Sequence, residues 1–250
     1  MKNNKQLFNL LSVDFNLPAH VDEIGKVNMR EAGEIPFIYW PNSVPCYEAN
    51  AYMLSQWKLG KSRRNRGGTL AEYAKNISPM IRFCFSNDIT MIDISDNIFA
   101  QFIRGLQSRN KNGELKRSSN AVIKIGRKCI DFLIFIGELY DNSDFIGEEH
   151  CRIKVKQREI KKKRPGKRAL IKKYWDHADL PDPDPIKKKF PISPTVVIAI
   201  KNEVNKIEDK GLRLRKGLMI ACFEQTGARR FEVSHIKVKD VEKASFSYGG

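Results

Sequence analysis

Apolar residues recur at intervals of three and four through much of the chain, a spacing that gathers them on one face of a helix. The run Glu48-Ala49-Asn50-Ala51-Tyr52-Met53-Leu54, continuing to Trp57, predicts a first helix. Leu70, Tyr73, Ile77, Met80 or Ile81, and Cys84 predict a second, opened by Thr69 and Glu72 at capping-box spacing. Pro79 inside that run predicts a kink or an early end. After a turn at Asn87-Asp88, Thr90-Met91-Ile92-Asp93-Ile94 is expected to be extended. Asp96 is expected to cap a helix carrying Ile98, Phe99, Phe102, Ile103 and Leu106 on one side. A longer helix starts near Ser118 or Ser119 and turns Val122, Ile123, Cys129, Ile130, Leu133 and Ile136 inward.

The two ends of the chain read differently. Residues 1–47 have no helical period; Pro36, Pro41 and Pro45 punctuate Phe37-Ile38-Tyr39-Trp40, which reads as a short strand or as an arm packing on a neighbour. Toward the other end, Ser193 caps and Pro194 opens a helix with Val197, Ile200, Val204 and Ile207 inward. Beyond Gly211 a buried helix is expected through Leu214, Leu218, Ala221 and Cys222, ending at Thr226-Gly227, where glycine suits a left-handed stop. Residues 237–241 are expected to enter a strand, and 245–248 to begin its partner.

Charge changes this picture. The 250 residues carry a formal net charge of +16, which calls for an anionic partner: nucleic acid first, a membrane surface second. No stretch approaches the roughly 20 apolar residues of a membrane span, and the start has no secretory-signal pattern. The cations are clustered. Arg63, Arg64 and Arg66 lie in a loop before the second helix, Lys111 in a basic turn, and Arg117, Lys124, Arg127 and Lys128 along the outer side of the long helix.

Between Arg152 and Lys173 there are twelve basic residues and one acid, Glu159. Lys161, Lys162, Lys163, Arg164, Lys167 and Arg168 form the densest part. Pro181-Asp182-Pro183-Asp184-Pro185 and a further lysine run follow. The expectation is an extended connector that crosses a phosphate backbone; a disordered linker and a nuclear-import tag are the competing readings. Five cysteines and four histidines show no metal-ligand spacing, so the reading is free thiols in a reducing compartment, no metal and no cofactor.

The stretch Thr226-Gly227-Ala228-Arg229-Arg230-Phe231-Glu232-Val233, followed by Ile236 and Asp240, resembles the first signature box of the tyrosine recombinases, or phage integrases. The alternative for these residues is an ordinary helix start with an Arg229–Glu232 pair. The resemblance implies that Arg229 is a catalytic arginine facing the non-bridging oxygens of a DNA phosphate, with Glu232 as its support. It implies a mainly α chain: an N-terminal arm or small extended region (1–47), a helical SAM-like core-binding domain (48–148), a basic linker (149–190), and the incomplete start of an α+β catalytic domain (191–250).

The DNA-binding candidates are then Arg63, Arg64, Arg66, Lys111, Arg117, Lys124, Arg127 and the cations from Lys161 to Arg168. The implied partner is double-stranded DNA, with self-association on paired sites, in a bacterial cytoplasm and at the nucleoid when bound. The implied process is DNA integration and recombination by a mobile element. The family's H-x-x-R box and nucleophilic tyrosine have no counterpart in these 250 residues, so the chain is expected to be truncated and inactive in strand cleavage. Two other readings stand beside it: a non-catalytic duplex-binding module, and a basic RNA-binding protein.

Overall fold

A computed structural model describes residues 6–63, 68–109, 112–164, 167–185, 192–227, 233–237 and 239. Helix predominates among them, and the strands form small two-stranded ladders. The chain divides into two compact units, residues 1–185 and 186–250.

The first unit begins with strands. β1 (Phe8–Leu10) pairs antiparallel with β4 (Pro36–Ile38), and the buried Phe8 and Ile38 put this ladder in the core. β2 (Asn16–Val21) and β3 (Val27–Glu31) form a separate hairpin. Its turn is held by Asp22, whose Oδ1 accepts from the amides of Ile24 (3.2 Å) and Lys26 (2.8 Å), with Gly25 at φ +80°. The described part of the opening region is therefore two short ladders, with Phe37 and Ile38 in a short strand.

The ladder is fastened to the first helix by one amide side chain. Asn50, on α1 (Tyr47–Lys58), accepts from the Ile38 amide at 2.7 Å and donates to the Ile38 carbonyl at 2.8 Å. That exchange satisfies both backbone groups of a buried residue, as a neighbouring strand would do.

α2 (Thr69–Ser86), α3 (Asp96–Leu106) and α4 (Ser119–Leu139) follow the expected spacing. Tyr52, Phe99, Phe132 and Phe145 are among the largest fully buried side chains. Burial pushes the thiols of Cys46 and Cys84 up to about 12, and that of Cys129 well above its ordinary value. The described cysteines are free.

Several boundaries differ from expectation. α2 starts from Gly68 with no side-chain cap, and Glu72 is used elsewhere, by Lys124. Pro79 is accommodated within an unbroken α2. Residues 91–93 form a 3₁₀ turn instead of a strand. The cap of α3 is Ser95, whose hydroxyl accepts from the Ile98 amide; Asp96 is already the first helical residue and its carboxylate reaches other segments. α4 is capped by Ser118 as its sequence suggests.

The basic stretch 149–190 departs most from the expected linker. β5 (Ile146–Gly147) and β6 (Ile153–Lys154) make a short parallel pair. Then β7 (Lys156–Arg164) and β8 (Lys167–Asp176) form an antiparallel ribbon, paired from Lys156↔Asp176 to Arg164↔Lys167. Backbone pairing over this length needs no apolar core of its own because the root of the ribbon packs on α4.

The proline-rich segment after it also stays with the helices. Leu180 packs against the core and lies over Gly126 of α4, where a Cβ would collide with it. Asp184 Oδ2 accepts the Asn120 amide in the first turn of α4 at 3.2 Å.

The second unit contains α5 (Pro194–Asn205), capped by Ser193 with Pro194 leading, and α6 (Lys210–Thr226), capped by Asp209. Gly211 lies inside α6, not between two helices. The two helices pack on each other, yet among the described residues of this unit none is buried. Leu214 and Leu218, expected inward, are exposed. α6 ends at Gly227, which is left-handed at φ 61°, and the Gly227 amide donates to the Phe223 carbonyl at 3.0 Å. Of residues 237–241, only Lys237 and Lys239 are described; the partner strand expected at 245–248 lies outside the described residues.

Candidate nucleic-acid interface

The ribbon and the outer side of α4 bring basic side chains together. Where β8 meets α4 they enclose a cleft of about 510 Å³. Lys124, Arg127 and Lys128 come from one wall, and Lys173, Tyr174 and Trp175 from the other. Arg127 and Lys128 follow Lys124 by three and four positions, which puts all three on one side of the helix. Tyr174 and Trp175 end the basic run with aromatic surface, and Trp175 packs against the main core.

Each cation in the cleft has a carboxylate partner. Arg127 reaches Asp176 Oδ1 with Nε at 3.2 Å and Nη2 at 3.1 Å, and its guanidinium carbon lies 4.0 Å from the centre of the Tyr174 ring. Asp176 is also held from the ribbon side, its Oδ2 lying 3.1 Å from Arg158 Nε. Lys128 Nζ lies 2.7 Å from Asp131 and 3.7 Å from the Tyr73 ring centre. Lys173 pairs with Glu159 across the ribbon at 3.3 Å. Lys124 donates to Glu72, which holds that carboxyl below the usual carboxylate range.

The root is completed by His177, buried against the edge of Phe99 at 4.9 Å between ring centres. Its Nδ1 accepts the Asp179 amide at 3.1 Å, which assigns the proton to Nε2, 3.2 Å from Asp96 Oδ1. Asp96 also accepts the Lys154 amide at 2.8 Å. One carboxylate thus links α3, the segment before the ribbon and the residue that follows it.

Charge is segregated as a result. The two acids of the ribbon, Glu159 and Asp176, lie toward its root and are engaged there. From residue 160 to residue 172 the sequence holds seven cations (Lys161, Lys162, Lys163, Arg164, Lys167, Arg168 and Lys172) and no acid. Coulomb repulsion works against such a concentration unless an anion answers it.

The expected DNA-binding residues therefore separate into groups. Lys124 and Arg127 sit together in the cleft, each with a carboxylate. Arg63 is elsewhere: its Nη1 donates to the carbonyls of Glu31 (2.9 Å) and Gly33 (3.3 Å), which clasps the β2–β3 hairpin. Arg117 is half-buried just before α4. Arg64, Arg66, Lys111, Arg229 and Glu232 lie outside the described residues. For Lys161, Lys162, Lys163, Arg164, Lys167 and Arg168 the backbone is described, and it is the paired ribbon.

Sequence reasoning missed Arg158, Lys173, Tyr174, Trp175, Asp176 and His177. The signal available was the break from lysines to Tyr174-Trp175-Asp176-His177, aromatic and acidic residues that mark a basic run returning to a core. Among the described residues no group of three His, Cys, Asp or Glu side chains could hold a metal ion, and no helix is long and apolar enough to cross a membrane. No protein-family model, curated protein or solved structure matches the chain.

Proposed function

We propose that the protein binds double-stranded DNA and is related to the tyrosine recombinases. The observation that carries the DNA reading is the ribbon: seven cations without an acid, on paired strands rooted in a helical unit. Lysine and arginine presented in this way gain free energy by displacing the counterions condensed on a duplex. In this reading α1–α4 correspond to the SAM-like core-binding domain and the second unit to the opening of the catalytic domain.

The recombinase relationship rests on the box at 226–233. Its supporting feature is Gly227, which stops α6 in the left-handed conformation immediately ahead of Arg229. An arginine two residues beyond such a helix stop suits a phosphate, because its planar fork gives two parallel hydrogen bonds to two oxygens. Arg229 would neutralise charge on the non-bridging oxygens of the scissile phosphate, with Glu232 as its support. The chain's proposed contribution is site binding plus this one phosphate-directed arginine; integration and recombination of a mobile element are the processes it would serve.

Gel-shift titrations over a range of salt test both parts. Duplex affinity is expected to fall steeply with salt and to exceed affinity for single strands or RNA; preference for single strands overturns the DNA reading. Arg229→Ala is expected to weaken duplex binding several-fold and to lower the salt slope by about 1. Unchanged affinity in that variant leaves a plain duplex-binding module and removes the recombinase assignment.

A further inference from the structure

We infer that the β7–β8 ribbon enters the major groove of the duplex, so that it reads base edges as well as holding phosphates. This rests on the duplex-binding reading above and goes beyond it by naming the groove and the element that occupies it.

Shape is the first argument. The ribbon is a sheet of two strands only, with β7 and β8 of nine and ten residues. At about 3.4 Å per residue it extends for about 30 Å. The major groove, about 12 Å wide, admits a two-stranded ribbon, whereas the minor groove is about 6 Å wide.

Cross-strand pairing is the second. The ladder sets Ile160 opposite Lys172, Lys161 opposite Ile171 and Lys162 opposite Leu170. Each of these three pairs combines one cation with one apolar residue. In these three pairs no like charges stand directly opposite one another, although Arg164 faces Lys167 at the far end of the ladder. The pairing also spaces apolar residues along the basic part of the ladder. A strip that only tracked phosphates would have no use for Ile160, Leu170 and Ile171. In the major groove, apolar side chains can meet thymine methyl groups while lysine and arginine reach guanine O6 and N7.

Rigidity is the third. Arg127, Arg158 and Asp176 lock the last ladder pairs, and His177 fastens the residue beyond them to α3. Groove entry requires a fixed approach angle, and the root supplies one without using the distal cations.

Dimethyl sulfate footprinting of the full chain on a mixed-sequence linear duplex tests this, because the reagent reports guanine N7 in the major groove and adenine N3 in the minor groove. At saturating protein, N7 reactivity is expected to fall while N3 reactivity stays unchanged. Two variants accompany it. One carries Lys161→Ser, Lys162→Ser, Lys163→Ser and Lys167→Ser; the other cuts the ribbon back to the Ile160–Lys172 pair and closes it with an Asn-Gly turn. Circular dichroism and thermal unfolding establish that each retains the wild-type helices.

Both variants are expected to lose N7 protection. The salt slope is expected to fall by about 3–4 for the serine variant and by up to about 5 for the shortened one. Duplex binding by the intact protein without N7 protection, or with N3 protection in its place, overturns groove entry alone. Protection that survives in the shortened variant does the same. Absence of duplex binding by the intact protein overturns this inference together with the functional reading.

Discussion

Asp176 is the residue on which the attachment of the ribbon depends. Its side chain is only 15% exposed and takes hydrogen bonds or ion contacts from Arg127 on the helix and Arg158 on the ribbon. Removing it strands two guanidinium groups, one of them stacked on Tyr174. Asp176→Ala is expected to lower stability by about 1–2 kcal/mol in denaturant unfolding, and Arg127→Ala by a similar amount. Measured together, the double variant should lose less than the sum, since both remove the same contact.

Glu72 gives a pH signature at the same scale. Its carboxyl is held below its ordinary range chiefly by the hydrogen bond from Lys124. A depressed carboxylate contributes stability that is complete above its unfolded value, about 4.3, and is lost as pH falls through the folded value. The stability difference between wild type and Glu72→Gln is therefore expected to be constant at neutral pH and to shrink toward zero in acid. A difference that grew on acidification would show that the pair does not act this way.

Among the elements, the four helices of the first unit were legible because their apolar positions repeat at three and four, and packing follows that stripe directly. Their starts were less so. Thr69 and Asp96 look like caps by residue type, but Gly68 and Ser95 take the position, which leaves Glu72 and Asp96 free to bind Lys124 and the Lys154 amide. Capping preference is worth only about 1 kcal/mol, so a tertiary contact of similar size decides the outcome. The ribbon was hidden for another reason. Its strands hold lysines where a half-buried strand would alternate apolar and polar residues, so periodicity contained no strand signal. What defines it is mainly long-range, the return of Tyr174, Trp175 and Asp176 to α4, and its local trace is confined to the break from lysines to aromatic and acidic residues at 174–177. The β2–β3 hairpin was missed although Asp22 and Gly25 lie in its turn; neither strand contains a buried residue, and a strand pair without a buried face has little hydrophobic pattern to read.

At the scale of the molecule, the two units differ in how much they bury. The core runs from Leu7 to Val155, while the described part of residues 186–250 contributes nothing to it. A fragment of residues 1–185 is expected to unfold cooperatively, with a circular dichroism spectrum rich in helix. A fragment of residues 186–250 is expected to show little helix alone, because apolar faces such as that of Leu214 and Leu218 gain nothing from folding unless they are covered. A sharp thermal transition in the second fragment would contradict this. The same inequality makes the thiols unequal. Cys46, Cys84 and Cys129 are locked away and resist ionisation, whereas Cys222 in α6 is only half-buried. A maleimide dye applied briefly near neutrality should therefore modify Cys222 first, as peptide mass mapping would reveal, and place one fluorescent reporter on the shorter unit without any engineered cysteine.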